Sequence, residues 1–195
     1  MIDNMPNNQY CLLSVMGPHA GETSEEIFAR KINDIKNIGK TFWLIKSYRS
    51  KPNMVQDICS TALSKNQTVI PCYFISPSSP LGAIPTKASL PAHQYSADSL
   101  EWTDLPQHMS PVTGAINNNA SALMFSELKI EQLAIDLAQY ADYFSQDKPL
   151  QIKQGASTVC AIKKDMTKHP DTIKSRFRNI VAIGILQKPF CVWLR

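Results

Sequence analysis

The N-terminal part of this sequence alternates between short apolar runs and stretches whose apolar residues recur with the period of a helix. The apolar runs, each expected to form a strand, cover residues 10–16, 41–47 and 68–76. In the stretches between them apolar side chains return every three or four residues, as on one face of a helix. A strand–helix–strand–helix–strand order with short links is typical of two right-handed crossovers that build a parallel sheet. The sequence therefore predicts an α/β fold, a three-layer domain with a mainly parallel central sheet.

Local signals mark the ends of both expected helices. Thr23 followed by Glu26 is a capping box at the start of a helix over residues 24–38, and Gly39 is suited to end that helix. Pro52 is expected in the first turn of the second helix, where no N–H is needed. Both helices should therefore begin at well-defined positions.

The loop at residues 16–26, MGPHAGETSEE, lies where many α/β proteins bind a phosphate. A helix N-terminus binds anions because its first N–H groups have no partners within the helix. Here Glu22, Glu25 and Glu26 place three carboxylates at that position, and no GxGxxG or GK[ST] motif accompanies them. We therefore expect a self-capped helix rather than a phosphate site. His19 with Glu22 is an alternative acid–base pair at the end of the first strand.

Residues 76–120 are expected to be an irregular, proline-rich insertion in a single α/β domain that spans residues 1–195. Six of the thirteen prolines fall in this insertion, together with the asparagine triplet 117–119. Loops of this length inside a compact domain are usually lids or surfaces for a partner. Tyr95 and Trp102 lie on either side of a polar turn, which predicts a small hairpin with a cross-strand aromatic pair.

Regular patterns return after the insertion. A short strand is expected over residues 121–125, followed by the clearest helical pattern of the chain over residues 130–144. Residues 157–163 have the pattern of another strand, and a basic helix is expected from Pro170 onward.

The last two apolar runs, residues 179–186 and 191–195, predict a C-terminal β-hairpin joined through residues 187–190. The first run is rich in β-branched residues and contains Gly184, and both features disfavour a helix. The alternative is that this first run extends the preceding helix.

Length and composition bound the class of protein. With 195 residues, of which 44% are hydrophobic and 18% charged, the chain can bury a core without a metal or disulfide to hold it together. Its five cysteines are scattered without a CxxC pair, so buried reduced thiols are expected and no metal site is assigned. The sequence shows neither a membrane span nor a signal peptide. We therefore expect a soluble, cytoplasmic protein without a membrane partner.

Charge is distributed unevenly along the chain. Residues 148–195 contain ten Lys and Arg against two acidic residues, which leaves ten basic and fourteen acidic residues of the totals of 20 and 16 for residues 1–147. A basic end on a chain of net charge +4 suggests a polyanionic partner, although a solvated basic face without a function is the ordinary alternative.

The first functional hypothesis is a binding module for nucleic acid or another phosphate-bearing polymer. Cationic side chains beside aromatic rings are what such a partner requires, the cations for phosphates and the rings for unstacked bases. The residues expected to bind it are Tyr48, Arg49, Lys51, Trp102, Lys174, Arg176 and Arg178.

The second hypothesis is a small enzyme that acts on a nucleotide-like or other anionic metabolite under the 76–120 insertion. Its candidate acids and bases are His19, Glu22 and His93, with Arg49 binding the anion. No catalytic signature such as GxSxG or HExxH accompanies them, and the sequence leaves the identity of any cofactor unknown. A third hypothesis is an adaptor that binds a protein partner through the proline-rich insertion.

Overall fold

The structure is a computed structural model that describes residues 9–18, 21–45, 51–77, 91–110, 112, 120–150, 152, 158–164 and 176–195. Two helices lie within these residues, α1 (Ser24–Ile38) and α2 (Pro52–Ser64), together with a 3-10 turn at Leu137–Gln139. The same residues contain ten strands, which are β1 (Tyr10–Val15), β2 (Thr41–Ile45), β3 (Pro71–Ile75), β4 (Gln94–Ser96), β5 (Thr103–Asp104), β6 (Ala120–Asp136), β7 (Tyr140–Asp142), β8 (Ser145–Pro149), β9 (Thr158–Lys163) and β10 (Phe177–Leu194).

Helices α1 and α2 begin where local signals in the sequence place them. The side chain of Thr23 accepts a hydrogen bond from the backbone N–H of Glu26, whose carboxylate accepts one from the Thr23 N–H, so the capping box is confirmed. Gly39 follows α1 in the left-handed conformation, and Pro52 occupies the first turn of α2. In the described part of the chain no helix combines the length and apolar character that a membrane crossing requires.

A single mixed sheet forms the centre of the fold. Its strand order is β2-β6-β10-β3-β1-β9-β7-β8, with β4 paired to the end of β10 and β5 paired to β4. Among the described strands only β1 and β3 run parallel, and every other pairing is antiparallel. The prediction of a mainly parallel sheet is therefore wrong.

The position of β2 explains this difference from the expected α/β fold. The sequence order β1-α1-β2-α2-β3 is correct, but β2 lies at the far edge of the sheet and pairs antiparallel with β6. Two strands from later in the chain, β6 and β10, separate β2 from β3. Both helices also pack on the same face of the sheet, so the described part of the chain does not form the three-layer arrangement. The apolar cluster on this face includes Phe28, Ile58, Phe74 and Phe125.

Residues 130–144, predicted as the clearest helix, are instead the end of β6, the 3-10 turn, β7 and the residues that follow it. The error has a physical cause in a β-bulge of β6 within these residues. Three residue steps from Ile130 to Leu133 pair with two steps on β10. The extra residue changes a spacing of two into three, which imitates the period of a helix.

The predicted C-terminal hairpin is also wrong, because its two halves belong to one strand. Residues 177–186 and 191–194 of β10 both pair with β6, and residues 187–190 bulge out between them. Phe190 takes a positive φ of 67° in this bulge. The expectation that this run is extended rather than helical is correct. The basic helix expected from Pro170 begins on residues outside the described part, and the chain is a strand from Phe177 onward.

The described part of the proline-rich insertion covers the face of the sheet opposite the helices. Ala92 and Val112 are buried against Phe42 and neighbouring side chains of β6 and β10. The predicted small hairpin is present as β4 and β5, but Tyr95 lies opposite Thr103 rather than Trp102. The insertion therefore contributes to the core at one end of the sheet.

Candidate functional site

The structure places the predicted binding residues at two ends of β10. Lys51 and Trp102 lie near its C-terminal end, and Arg176 and Arg178 lie at its N-terminal end. Arg178 pairs with Ile135 and Leu194 pairs with Ala120, so these two groups lie at opposite ends of the β6–β10 ladder. The four described candidates therefore do not form one continuous patch. Four further candidates lie outside the described residues: His19, Tyr48, Arg49 and Lys174.

Trp102 forms a cation–π contact with the C-terminal residue. The guanidinium carbon of Arg195 lies 4.1 Å from the centroid of the Trp102 ring. Two backbone hydrogen bonds join Gln94 to Arg195, and the Arg195 Nε donates to the Gln94 side chain at 2.8 Å. The His93 N–H also donates to the Arg195 carbonyl. Pairing of β4 with β10 therefore fixes Arg195 over the ring.

A second cation lies beside an aromatic ring of the same hairpin. The Lys40 ammonium is 5.4 Å from the ring centroid of Tyr95 and 3.5 Å from its hydroxyl. The Tyr95 ring packs in turn on the buried ring of Phe42, 5.1 Å away between centroids. The β4–β5 hairpin thus carries two aromatic rings, each with its own cation.

Lys51 lies immediately before α2 and is exposed. Lys51 is the N-cap residue and its side chain makes no capping hydrogen bond, and the first turn of the helix contains no acidic residue. One turn further along, the Gln56 side chain donates to the carbonyls of Ala97 and Cys191, which ties α2 to the hairpin and to β10. Lys51 therefore lies at the same end of the sheet as Trp102 and Arg195.

Arg176 and Arg178 make different contacts at the other end. The Arg176 backbone N–H donates to Asp136, and its guanidinium donates to the Leu150 carbonyl at 3.1 Å. Arg178 is half-buried and lies opposite Ile135 of β6. The Arg176 backbone therefore helps to hold the end of the β6–β10 ladder, and its guanidinium binds a carbonyl outside the two strands.

Glu22 belongs to a network that the sequence patterns did not reveal. Its carboxylate binds the guanidinium of Arg30 through two hydrogen bonds of 2.6 and 2.9 Å. Glu22 and His93 are not joined by a hydrogen bond or an ion pair; His93 is exposed and is bonded through its backbone. The described residues therefore do not assemble the acid–base set of the enzyme hypothesis.

The centre of this network is a buried ion pair on α1. The Lys31 ammonium lies 3.7 Å from the Asp34 carboxylate, and both side chains are less than a tenth exposed. Asp34 also accepts hydrogen bonds from the hydroxyls of Thr41 and Ser110, at 2.9 and 2.5 Å, and from the Ser110 N–H. Burial lowers the pKa of Lys31 to about 8, because it penalises the charged ammonium more than nearby Asp34 favours it.

Ser110 is saturated by this network. Its hydroxyl donates to Asp34 and accepts from Lys31 at 3.3 Å and from Arg30 at 3.2 Å. A hydroxyl whose donor and acceptor positions are all occupied within the protein is suited to holding structure rather than attacking a substrate. The network therefore anchors the end of the 91–110 segment to α1. Its signal in the sequence is a Lys and an Asp three residues apart on the face of α1 that also carries Ile27 and Phe28.

All five cysteines are free and buried. Burial raises the pKa of every one of these thiols, that of Cys160 to about 12, so they remain protonated and unreactive near neutral pH. Among the described residues no three His, Cys, Asp or Glu side chains are grouped so that they could hold a metal ion. The described part of the chain therefore offers no candidate for a reactive thiol or for a metal site.

Comparison with known proteins found no family model, no curated protein and no solved structure that matches this chain.

Proposed function

We propose that this protein binds nucleic acid through the end of the sheet that carries Lys51, Trp102 and Arg195. The observation that supports the proposal most directly is the Arg195 guanidinium held 4.1 Å from the Trp102 ring centroid. A positive group beside an aromatic ring offers one contact for a phosphate and another for a base. We define this set of three residues as the Trp102 surface.

Arg195 is fixed in place before any ligand arrives. Its Nε is already bound to Gln94, and its backbone is paired with the same residue. A guanidinium has five N–H donors, so the terminal nitrogens remain available for a phosphate. Because the side chain is already ordered, binding loses less conformational entropy than it would with a free arginine.

Lys51 adds a second cation at the same end of the molecule. Among the described residues, the N-terminus of α2 has no side-chain cap from Lys51 and no acid in its first turn, whereas that of α1 is occupied by Glu25, Glu26 and the capping box. The positive end of the α2 dipole therefore adds to the Lys51 charge, and that of α1 is offset by its own carboxylates.

The partner expected at this surface is single-stranded, because a ring can stack only on a base that is not already paired. The five free thiols are consistent with a reducing compartment such as the cytoplasm. Contact of a protein partner with the proline-rich insertion stays a separate proposal.

The test is fluorescence anisotropy of labelled single-stranded and double-stranded oligonucleotides across a range of salt concentrations. We expect single strands to bind with a logarithm of affinity that falls linearly with the logarithm of salt concentration. Arg195→Gln and Lys51→Gln should each reduce the slope of log affinity against log salt concentration by the equivalent of about one phosphate contact. Trp102→Leu should weaken binding by about tenfold and leave that slope unchanged.

Arg178→Gln is the matched control, because it removes one positive charge from the other end of β10. If Arg178→Gln weakens binding and Arg195→Gln does not, the binding surface lies at the N-terminal end of β10 and the Trp102 surface is the wrong one. If no oligonucleotide binds even at low salt, the proposed function is wrong altogether.

A further inference from the structure

Within the described residues, the outer edge of β6 is open over about half of the strand. Strand β2 pairs with β6 only from Ser121 to Phe125, whereas β10 pairs with it as far as Asp136. No other described strand pairs with residues 127–135 on that edge. Edge strands present unpaired N–H and C=O groups that can pair with another chain.

Apolar side chains are exposed along this open edge and on the strand beside it. Six large apolar side chains are exposed among the described residues, and three of them lie here: Ile130 is 51% exposed, Leu133 47% and Phe177 68%. Exposed apolar groups that cluster beside a free strand edge are characteristic of an interaction surface.

The charges of the open edge are complementary to those on the same edge of a second copy of the chain. Lys129 and Glu131 flank Ile130, and the Lys129 side chain is 62% exposed. The two side chains contact each other within one chain, so both lie on the same side of the strand. If an identical strand runs antiparallel with Ile130 opposite Ile130, each Lys129 faces a Glu131 of the second copy.

We propose that two copies of this chain form a dimer by antiparallel pairing of their β6 edges, with the two-fold axis at Ile130. Pairing centred at Lys129 instead would set Lys129 against itself and Glu127 against Glu131, and like charges directly opposite are unfavourable. A two-fold interface of this kind is closed, since each edge satisfies the other and no further copy can be added. One β-bulge of β6 lies between Phe125 and Glu127 and the other between Ile130 and Leu133, so the pairing is confined to the few residues on either side of Ile130.

Charge exchange tests this dimer. The variant Lys129→Glu has acids at both positions, and the variant Glu131→Lys has cations at both. Each variant alone would bring like charges together twice, so we expect its dimer to dissociate at about tenfold higher concentrations than the wild-type dimer. An equimolar mixture of the two variants should form a heterodimer as readily as the wild type, because each Glu then faces a Lys. The double variant carrying both substitutions should dimerise as well.

Sedimentation velocity over a range of protein concentrations measures all of these states. Lys36→Glu, which makes the same change of charge on the exposed side of α1, is the control and should dimerise like the wild type. The proposal is overturned if the wild type stays monomeric at roughly several hundred micromolar, a concentration at which even a weak dimer is populated. It is also overturned if the single variants dimerise like the wild type, or if their mixture associates no better than either variant alone. Circular dichroism of each variant establishes that it is folded.

Discussion

Lys31 and Asp34 form an ion pair of 3.7 Å on the buried face of α1, although both carry charges that burial penalises. Asp34 has three hydrogen bonds from Thr41 and Ser110 that help to compensate its charge. The ammonium is the less well compensated group, which is why the pKa of Lys31 is lowered to about 8.

This lowered pKa predicts a pH dependence of stability. Between pH 8 and about 10.4, the ordinary value for a lysine, the unfolded chain binds more protons than the folded chain, so Lys31 makes the free energy of unfolding rise with pH. The total increase in the free energy of unfolding due to Lys31 is on the order of 3 kcal/mol, and most of it occurs above pH 8. Urea unfolding of the wild type and of Lys31→Met at pH 7, 8, 9 and 10 measures it.

The comparison with Lys31→Met is needed because the buried cysteines act in the opposite direction. Their raised pKa values mean that only the unfolded chain loses thiol protons above pH 9, which lowers the stability of both proteins equally. The free energy of unfolding of the wild type should therefore increase relative to that of Lys31→Met as pH rises. A difference in stability that does not change with pH would show that burial does not lower the Lys31 pKa.

Replacing Asp34 and replacing Ser110 should lower the stability of the protein by unequal amounts. Asp34→Ala leaves the Lys31 ammonium buried without a counter-ion and is expected to cost about 3–5 kcal/mol of stability. Ser110→Ala removes hydrogen bonds but keeps the ion pair, so we expect a loss of about 1–3 kcal/mol. Denaturant unfolding at pH 7 measures both. Equal losses would mean that the ion pair adds nothing to the hydrogen bonds.

Gly184 should not tolerate a side chain while Phe125 lies over it. An added Cβ would lie 2.7 Å from two atoms of the Phe125 ring, and that ring is fully buried. Gly184→Ala is therefore expected to cost about 1–3 kcal/mol through overpacking. Phe125→Leu should relieve the clash, so that thermal unfolding finds the double variant more stable than the sum of the single effects predicts. Strict additivity would contradict the close approach.

The capping box at Thr23 gives a local prediction. Thr23→Ala is expected to destabilise the protein by about 1 kcal/mol, and Thr23→Ser should restore most of it because the hydroxyl is kept. The pKa of the Glu26 carboxyl is lowered by hydrogen bonds from the Thr23 backbone and side chain, and loss of the side-chain bond should raise it part of the way back. An NMR titration of Glu26 follows this change. A Glu26 pKa that is identical in the wild type and in Thr23→Ala would show that the hydroxyl is not bound to the carboxylate.

Where nearby residues decide an element, the sequence predicted it well. Helix α1 begins at the Thr23 capping box and ends at Gly39, and α2 begins at Pro52. Strands β1, β3 and β9 are short apolar runs flanked by polar residues. Of the proposed binding surface, Lys51 and Trp102 were predicted from their own chemistry. Arg195 was identified only as one of the basic residues in the C-terminal part of the chain. Its contact with Trp102 was not predicted, because 93 positions separate the two residues in the sequence.

The arrangement of the sheet depended on pairing between distant parts of the chain. Bulges in β6 shift its alternation from one face to the other, so residues 130–136 acquire a helix-like period although they form a strand. The insertion of β6 and β10 between β2 and β3 makes the sheet mostly antiparallel. The sequence by itself thus determined the two helices and the apolar strands, since hydrogen bonds and caps within a few residues define them. Only the tertiary structure decided strand order, the buried Lys31–Asp34 pair and the open β6 edge, because each depends on which distant segment lies alongside.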